Sequence, residues 1–196
     1  MSDKKKFEVE EIVAEEYQYI AQTAFQANED RARVTTFYLV SVGSLFGAFL
    51  GTTATTEKTT LWFFAGLFLF LSYFGIITLR QLIQLRISWF ESARAMNQIK
   101  EFLIKQNKDL GKAFRWQSKT LPDPYKPKSI SFFLAQQVAM LGAVTFGAMI
   151  FYATLAINKN FQNDPLLLIG AAIGGIFFLL FQMMLYRKEL SASKEE

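Results

Sequence analysis

The strongest constraint on this chain is a set of four long apolar stretches that contain no charged residue. They occupy residues 34–53, 61–79, 130–157 and 166–186. About 20 residues of α-helix, rising 1.5 Å per residue, cross a hydrocarbon core of roughly 30 Å. Hydrophobic residues make up 52% of the 196 residues, and 21 residues are Phe. This composition suits a bilayer better than water, so the sequence predicts an all-α integral membrane protein with four transmembrane helices.

Two polar segments extend the first and second predicted spans. Residues 1–33 carry an apolar stripe with acidic residues on the opposite side. No Pro or Gly separates Arg33 from Val34, so we expect one helix to continue into the first span. Residues 80–108 carry an apolar heptad seam among mostly basic residues.

We predict that these two segments pair as a cytoplasmic helical extension, because both leave the membrane on the same side and their charges are complementary. Exposed ion pairs contribute only about 0–1 kcal/mol each, so the apolar seam should decide stability. The seam residues are Tyr17, Ile20, Leu85, Trp89, Met96 and Ile99. In an alternative arrangement the basic helix lies on anionic lipid head groups.

The basic residues predict the orientation. Nineteen of the 21 Lys and Arg residues fall in residues 1–33, 80–128 and the tail, and only Lys58 and Lys159 lie in the turns between spans. By the positive-inside rule both termini are cytoplasmic, in a multi-pass protein of the inner (plasma) membrane. The predicted domains are a cytoplasmic amphipathic helix (1–33), a first hairpin of spans (34–79), a cytoplasmic basic helix with a proline-rich loop (80–128), a second hairpin (129–186) and a cytoplasmic tail (187–196).

The chain lacks the residues that most enzymes use. It has no Cys and no His, which removes the thiol nucleophile, the commonest general base and the commonest transition-metal ligands. No phosphate-binding loop or dinucleotide motif is present. We therefore expect no enzyme, no cofactor and no metal site. The basic residues follow a predicted span, so positive-inside bias explains them and nucleic-acid binding is not expected.

Small residues recur at helical spacing in the predicted spans. Such faces let two helices approach closely, either within one four-helix monomer or between copies of the chain. Both arrangements stay open. The candidate packing and oligomerisation residues are Gly43, Gly47, Gly51, Gly142, Gly147, Gly170 and Gly174.

Uncharged polar residues also occur within the spans. No span has a charged residue at its centre, which argues against ion-coupled transport, proton relays and voltage sensing. Ser41, Ser44, Gln136, Gln137 and Gln182 are expected to form hydrogen bonds between helices. If a pore exists, Ser41, Ser44, Gln136 and Gln137 are its candidate lining residues.

One part of the chain resembles a known family. The stretch EYQYIA at residues 16–21, followed by RAR at residues 31–33 directly before the first span, resembles the SLATT-type membrane effectors. The resemblance covers about the first half of the chain. It implies a membrane-perturbing module of bacterial nucleotide-signalling and anti-phage systems that acts after a cytoplasmic cue.

Together these patterns predict an oligomeric membrane effector or channel-like component that is gated through its cytoplasmic helices. The expected partners are the lipid bilayer, further copies of the chain and a cytoplasmic protein. A non-conducting anchor or scaffold that recruits a soluble partner is the alternative, and a transporter for a neutral solute is a weaker one.

Overall fold

The computed structural model describes residues 2–50, 57–114 and 116–193, and these form helices and no β-strand. Four helices are long and apolar enough to cross a membrane, which suggests a membrane protein and agrees with the predicted all-α class. The helices are α1 (Ser2–Leu50), α2 (Lys58–Gln106), α3 (Leu110–Ala113), α4 (Ile130–Ile157) and α5 (Pro165–Ala192), with short 3-10 helices at Ser118–Thr120 and Lys159–Asn163.

The first two long helices are much longer than the last two. α1 and α2 have 49 residues each, and α4 and α5 have 28. At 1.5 Å per residue this is about 70 Å against about 40 Å. We call residues 2–33 of α1 and 80–106 of α2 the polar halves, and the remainder of each helix its apolar half. The expected continuation of one helix across Arg33 and Val34 is confirmed.

Local sequence determines where α4 and α5 begin. The Ser129 side chain accepts a hydrogen bond from the backbone N–H of Phe132 at the start of α4. At the start of α5, the Asp164 carboxylate accepts one from the Leu166 N–H at 2.9 Å, and Pro165 takes the first helical position. These are common helix-start residues, because they satisfy or lack the first free backbone donors.

The long helices pack in the order α1, α2, α4, α5, with α2 and α4 in the middle. Aromatic rings fill the space between α1, α2 and α4. Phe49 meets Phe64 edge-on with ring centroids 4.7 Å apart, and Tyr152 stacks on Phe68 at 5.6 Å. The core of this region therefore combines packed aromatic rings with aliphatic side chains such as Leu71 and Val138.

The polar halves of α1 and α2 pack against each other in an antiparallel arrangement. Phe49 and Phe64 meet at one end of the pair, and at the other end the Lys100 ammonium lies 5.9 Å from the centre of the Tyr17 ring. Among the described residues, the exposed Glu10, Glu11, Glu15 and Glu16 make no ion pair with α2 within 4.0 Å. Direct pairing of these carboxylates with the basic helix is thus not what joins the polar halves.

Candidate functional site

The glycines of α1 point away from the rest of the chain. Gly43 and Gly47 are exposed, and a Cβ atom added at either would meet nothing within 4 Å. Gly51 lies outside the described residues. We call Gly43 and Gly47 the outward glycine face. Among the described residues of the chain, no other helix packs against this face.

The glycines of α4 and α5, in contrast, let the two backbones touch. A Cβ on Gly147 would lie 2.9 Å from the Ala171 carbonyl oxygen, and one on Gly175 would lie 2.8 Å from that of Ala143. Gly174 faces the Ile150 side chain, whereas Gly170 has open space. We call the crossing of Ala143 and Gly147 with Ala171 and Gly175 the α4–α5 seam; Gly175 was not among the sequence candidates.

The candidate pore residues lie on two helices, Ser41 and Ser44 on α1 and Gln136 and Gln137 on α4. Ser44 and Gln137 are exposed, and the other two are half-buried. Within the described residues these four side chains form no hydrogen bond with one another. Because rings fill the space between α1, α2 and α4, one chain does not bring them together around a lumen.

A buried polar layer crosses the middle of the four helices, and sequence reasoning identified only part of it. Ser72 on α2 and Thr145 on α4 are joined by a hydrogen bond of 3.0 Å. The Tyr38 hydroxyl and both amide atoms of Gln182 are buried without a protein hydrogen-bond partner. A Cβ on Gly142 would lie 2.8 Å from Gln182 Nε2, so Gly142 makes room for that side chain. The expectation of an interhelical hydrogen bond for Gln182 is not met within the chain.

Several predicted seam residues of the polar halves line shared cavities. Tyr17 and Ile99 line a groove between α1 and α2, and Tyr17, Trp89 and Met96 line a second cavity nearer the apolar halves. Ile20 and Leu85 are half-buried. The packing of the two polar halves is thus apolar but open enough to leave space.

The second of these cavities is lined by cations and contains no acidic residue. It has a volume of about 670 Å³ and lies between the polar halves, the proline-rich loop (residues 121–128) and the start of α4. Arg31, Arg86, Lys100 and Lys126 line it, and no Asp or Glu of the described residues does. We call it the cationic cavity. From the sequence, these charges were attributed to membrane orientation, to pairing with the acidic helix or to contact with lipid head groups, and not to a cavity.

The two arginines of the cationic cavity are buried among neutral partners. Each is 7% exposed. Arg31 donates to the Ser131 hydroxyl and, over 3.3 Å, to the Ala27 carbonyl oxygen. Arg86 donates to the Pro124 carbonyl oxygen over 3.2 Å, and its guanidinium lies 4.7 Å from the centre of the Trp89 ring. The proline-rich loop therefore covers Arg86 without neutralising it.

The surroundings oppose both positive charges. Burial is the largest cause and lowers the pKa of Arg31 and of Arg86 below the usual arginine value, and the positive charge of Arg86 lowers that of Arg31 further; the neighbouring Tyr186 acts in the opposite direction on both. An arginine keeps its proton at neutral pH even so, because its ordinary pKa is far above neutral. Two like charges are thus held together at an energetic cost.

The other polar side chains of this cavity are mostly donors as well. Asn97 is 2% exposed, and its Nδ2 has no hydrogen-bond partner. Its Oδ1 is 3.4 Å from Lys100 Nζ, which also lies 3.4 Å from the Trp116 carbonyl oxygen. The cavity therefore offers cationic and neutral N–H donors, and the partners of Arg31, Arg86 and Lys100 in the described part of the chain are neutral oxygen atoms and aromatic rings.

Comparisons with protein-family models, curated proteins and solved structures give no match for this chain. The resemblance to SLATT-type effectors therefore stays a prediction.

Proposed function

We propose that this chain is an oligomeric inner-membrane protein that conducts through or perturbs the bilayer under the control of its cytoplasmic helices. The observation that carries the proposal is that α1 is one continuous helix, which joins its polar half to the outward glycine face. A displacement of the polar halves would be transmitted along α1 and α2 to the spans.

Charge supports the orientation in this proposal. Nineteen of 21 basic residues lie on the side of the polar halves and the two termini, which the positive-inside rule assigns to the cytoplasm. The polar halves then form a cytoplasmic sensor, and Lys58 and Lys159 face the other side. The resemblance to SLATT-type effectors adds a role in bacterial anti-phage defence to the proposal.

Any conducting path in this scheme lies between copies of the chain. Rings such as Phe68 and Tyr152 fill the space between α1, α2 and α4, whereas Ser44 and the outward glycine face are exposed on α1. Close contact between α1 helices through Gly43 and Gly47 would place Ser44 near an intersubunit interface. This arrangement makes self-association a condition for activity.

Dye release from liposomes tests the proposal. The purified chain is reconstituted into liposomes that contain a self-quenched dye, next to the Gly47→Leu variant and a Gly66→Leu control. Gly66 is also an exposed span glycine with open space around it, but it lies on α2. We expect the wild-type chain and the Gly66→Leu variant to release dye and the Gly47→Leu variant to release little. Intact liposomes after confirmed insertion of the wild-type chain, or equal release by both variants, would contradict the proposal.

A non-conducting anchor that recruits a soluble protein is the second candidate. The polar half of α1 exposes apolar side chains at Ile12, which is 63% exposed, and Tyr19, which is 67% exposed. Exposed apolar residues on a helix are typical of contact surfaces. An anchor of this kind should keep its partner in the Gly47→Leu variant and lose it when Ile12 and Tyr19 are both replaced by Ser.

A further inference from the structure

We propose that the cationic cavity is a binding site for the phosphate group of an anionic ligand, either a phospholipid head group or a soluble phosphate ester. Arg31, Arg86, Lys100 and Lys126 provide the positive charge, and the Asn97 amide provides a neutral donor. The site is formed by α1, α2, the proline-rich loop and α4 together.

Among the described residues, no carboxylate compensates the positive charges of Arg31 and Arg86. A buried charge is retained in proteins where it is paired or bound to an opposite charge. Arg31 and Arg86 are each 7% exposed and have hydroxyl, carbonyl or ring partners. The carboxylate closest in sequence to Arg31, that of Asp30, is 3.5 Å from Arg33 instead. An anion in the cavity would supply the charge that the protein does not.

The hydrogen-bond donors in the cationic cavity match the acceptor oxygens of a phosphate group. Each guanidinium has five N–H groups in a planar fork that matches the oxygens of a phosphate. Asn97 Nδ2 is buried without a partner, and such a group is costly unless a ligand or other acceptor meets it. A ligand rich in acceptors and carrying negative charge satisfies all of these groups at once.

The size and position of the cationic cavity also suit a phosphate-containing ligand. A cavity of about 670 Å³ is within the range of ordinary ligand pockets. Arg31 lies three residues before the first apolar stretch, and Ile130 and Ser131 at the start of α4 also line the cavity. If the apolar halves cross a membrane, the cavity lies at the depth of the phosphate groups of the lipid. Both lipid and soluble ligands can reach that depth.

Tryptophan fluorescence provides a direct binding assay. Trp89 and Trp116 line the cavity, whereas Trp62 is near the far end of α2, so a Trp62→Phe background leaves the two local reporters. Detergent-solubilised protein is titrated with dihexanoyl phosphatidylglycerol against zwitterionic dihexanoyl phosphatidylcholine. In a second arm it is titrated with inorganic phosphate against chloride at equal ionic strength. We expect a saturable spectral change with phosphatidylglycerol, phosphate or both.

Matched substitutions locate the binding. Lys126→Gln should weaken it about three- to fivefold, because an exposed cation contributes modestly. Lys128→Gln, which changes a lysine two residues away that does not line the cavity, should leave affinity within about twofold. Arg86→Gln should weaken binding about tenfold or more, since hydrogen bonds to charged groups are stronger, and Arg80→Gln is its exposed control on α2. Thermal unfolding of each variant reports whether it has folded.

The outcomes separate the sources of the phosphate. Saturation by phosphatidylglycerol alone identifies a lipid site, and saturation by inorganic phosphate identifies a site for soluble esters; both support the proposal. No saturable change in either arm overturns it, and so does equal weakening by Lys126→Gln and Lys128→Gln. The binding result does not depend on the dye-release result. If the chain binds phosphate but releases no dye, the phosphate site is supported and the proposed function is contradicted. Only a regulatory effect of the ligand on the spans rests on that function.

Discussion

Two glycine surfaces with similar sequence spacing lie in opposite surroundings. On the α4–α5 seam, added Cβ atoms at Gly147 and Gly175 would lie 2.9 Å and 2.8 Å from backbone carbonyl oxygens. On the outward glycine face, Gly43 and Gly47 have nothing within 4 Å. The seam therefore joins helices within one chain, and the outward face is left for another copy or for lipid.

Sequence spacing alone does not assign a role to a glycine. Residues four apart share a helical face, but whether a second helix covers that face depends on how the helices are ordered. Here α1 packs chiefly on α2 through its inner side, where Tyr38 and Phe74 have ring centroids 5.5 Å apart. The same helix then has an inner side that is packed and an outer side that is not.

The largest effect is expected at the seam. Gly147→Ala places a methyl group against the Ala171 carbonyl oxygen, so α4 and α5 must separate, and overpacking of this kind costs about 1–3 kcal/mol. Gly170→Ala on α5 is the control, because its Cβ has open space. The free energy of unfolding in mixed micelles should be lower for the Gly147 variant. Equal stability of the two variants would show that the seam is not closely packed.

The second-largest effect is expected on the self-association of the chain and not on the stability of the monomer. Gly47→Leu should leave the unfolding free energy of the monomer unchanged and weaken self-association about tenfold or more, since tenfold corresponds to 1.4 kcal/mol. Light scattering of the detergent-solubilised protein measures the mass. A wild-type chain that is already monomeric would remove the role proposed for the outward glycine face.

The sequence was sufficient to predict where the long helices lie, but not which parts of the chain pack around them. Uncharged stretches such as residues 61–79 located the four apolar helices, because few other structures accommodate such runs. The continuation of α1 from its polar half followed from the absence of a helix breaker after Arg33, and the polar half of α2 followed from its apolar heptad seam. The burial of Arg31 and Arg86 was not predictable in the same way, since it depends on the proline-rich loop folding back so that the Pro124 carbonyl oxygen reaches Arg86.

A smaller effect is expected on the inner side of α1. The Tyr38 hydroxyl is buried without a protein partner, so Tyr38→Phe removes an unsatisfied group while keeping the ring. We expect a gain of up to about 1 kcal/mol in unfolding free energy. Ser72→Ala, which deletes the hydrogen bond to Thr145, should instead cost about 0.6 kcal/mol. A loss of stability in the Tyr38→Phe variant would mean that the hydroxyl has an acceptor within the membrane.

The smallest effect is expected on the outer side of the α1 polar half. Glu11 and Glu15 are exposed and make no ion pair with α2 in the described structure, so replacing both with Gln should change stability by less than about 0.5 kcal/mol. Tyr17→Ala on the inner side, which removes a half-buried ring next to Lys100, should cost more. Thermal unfolding at low and high salt measures both variants, because long-range attraction between the acidic and basic helices would be screened by salt. A large, salt-sensitive loss in the double Gln variant would show that charge, and not the apolar seam, joins the polar halves.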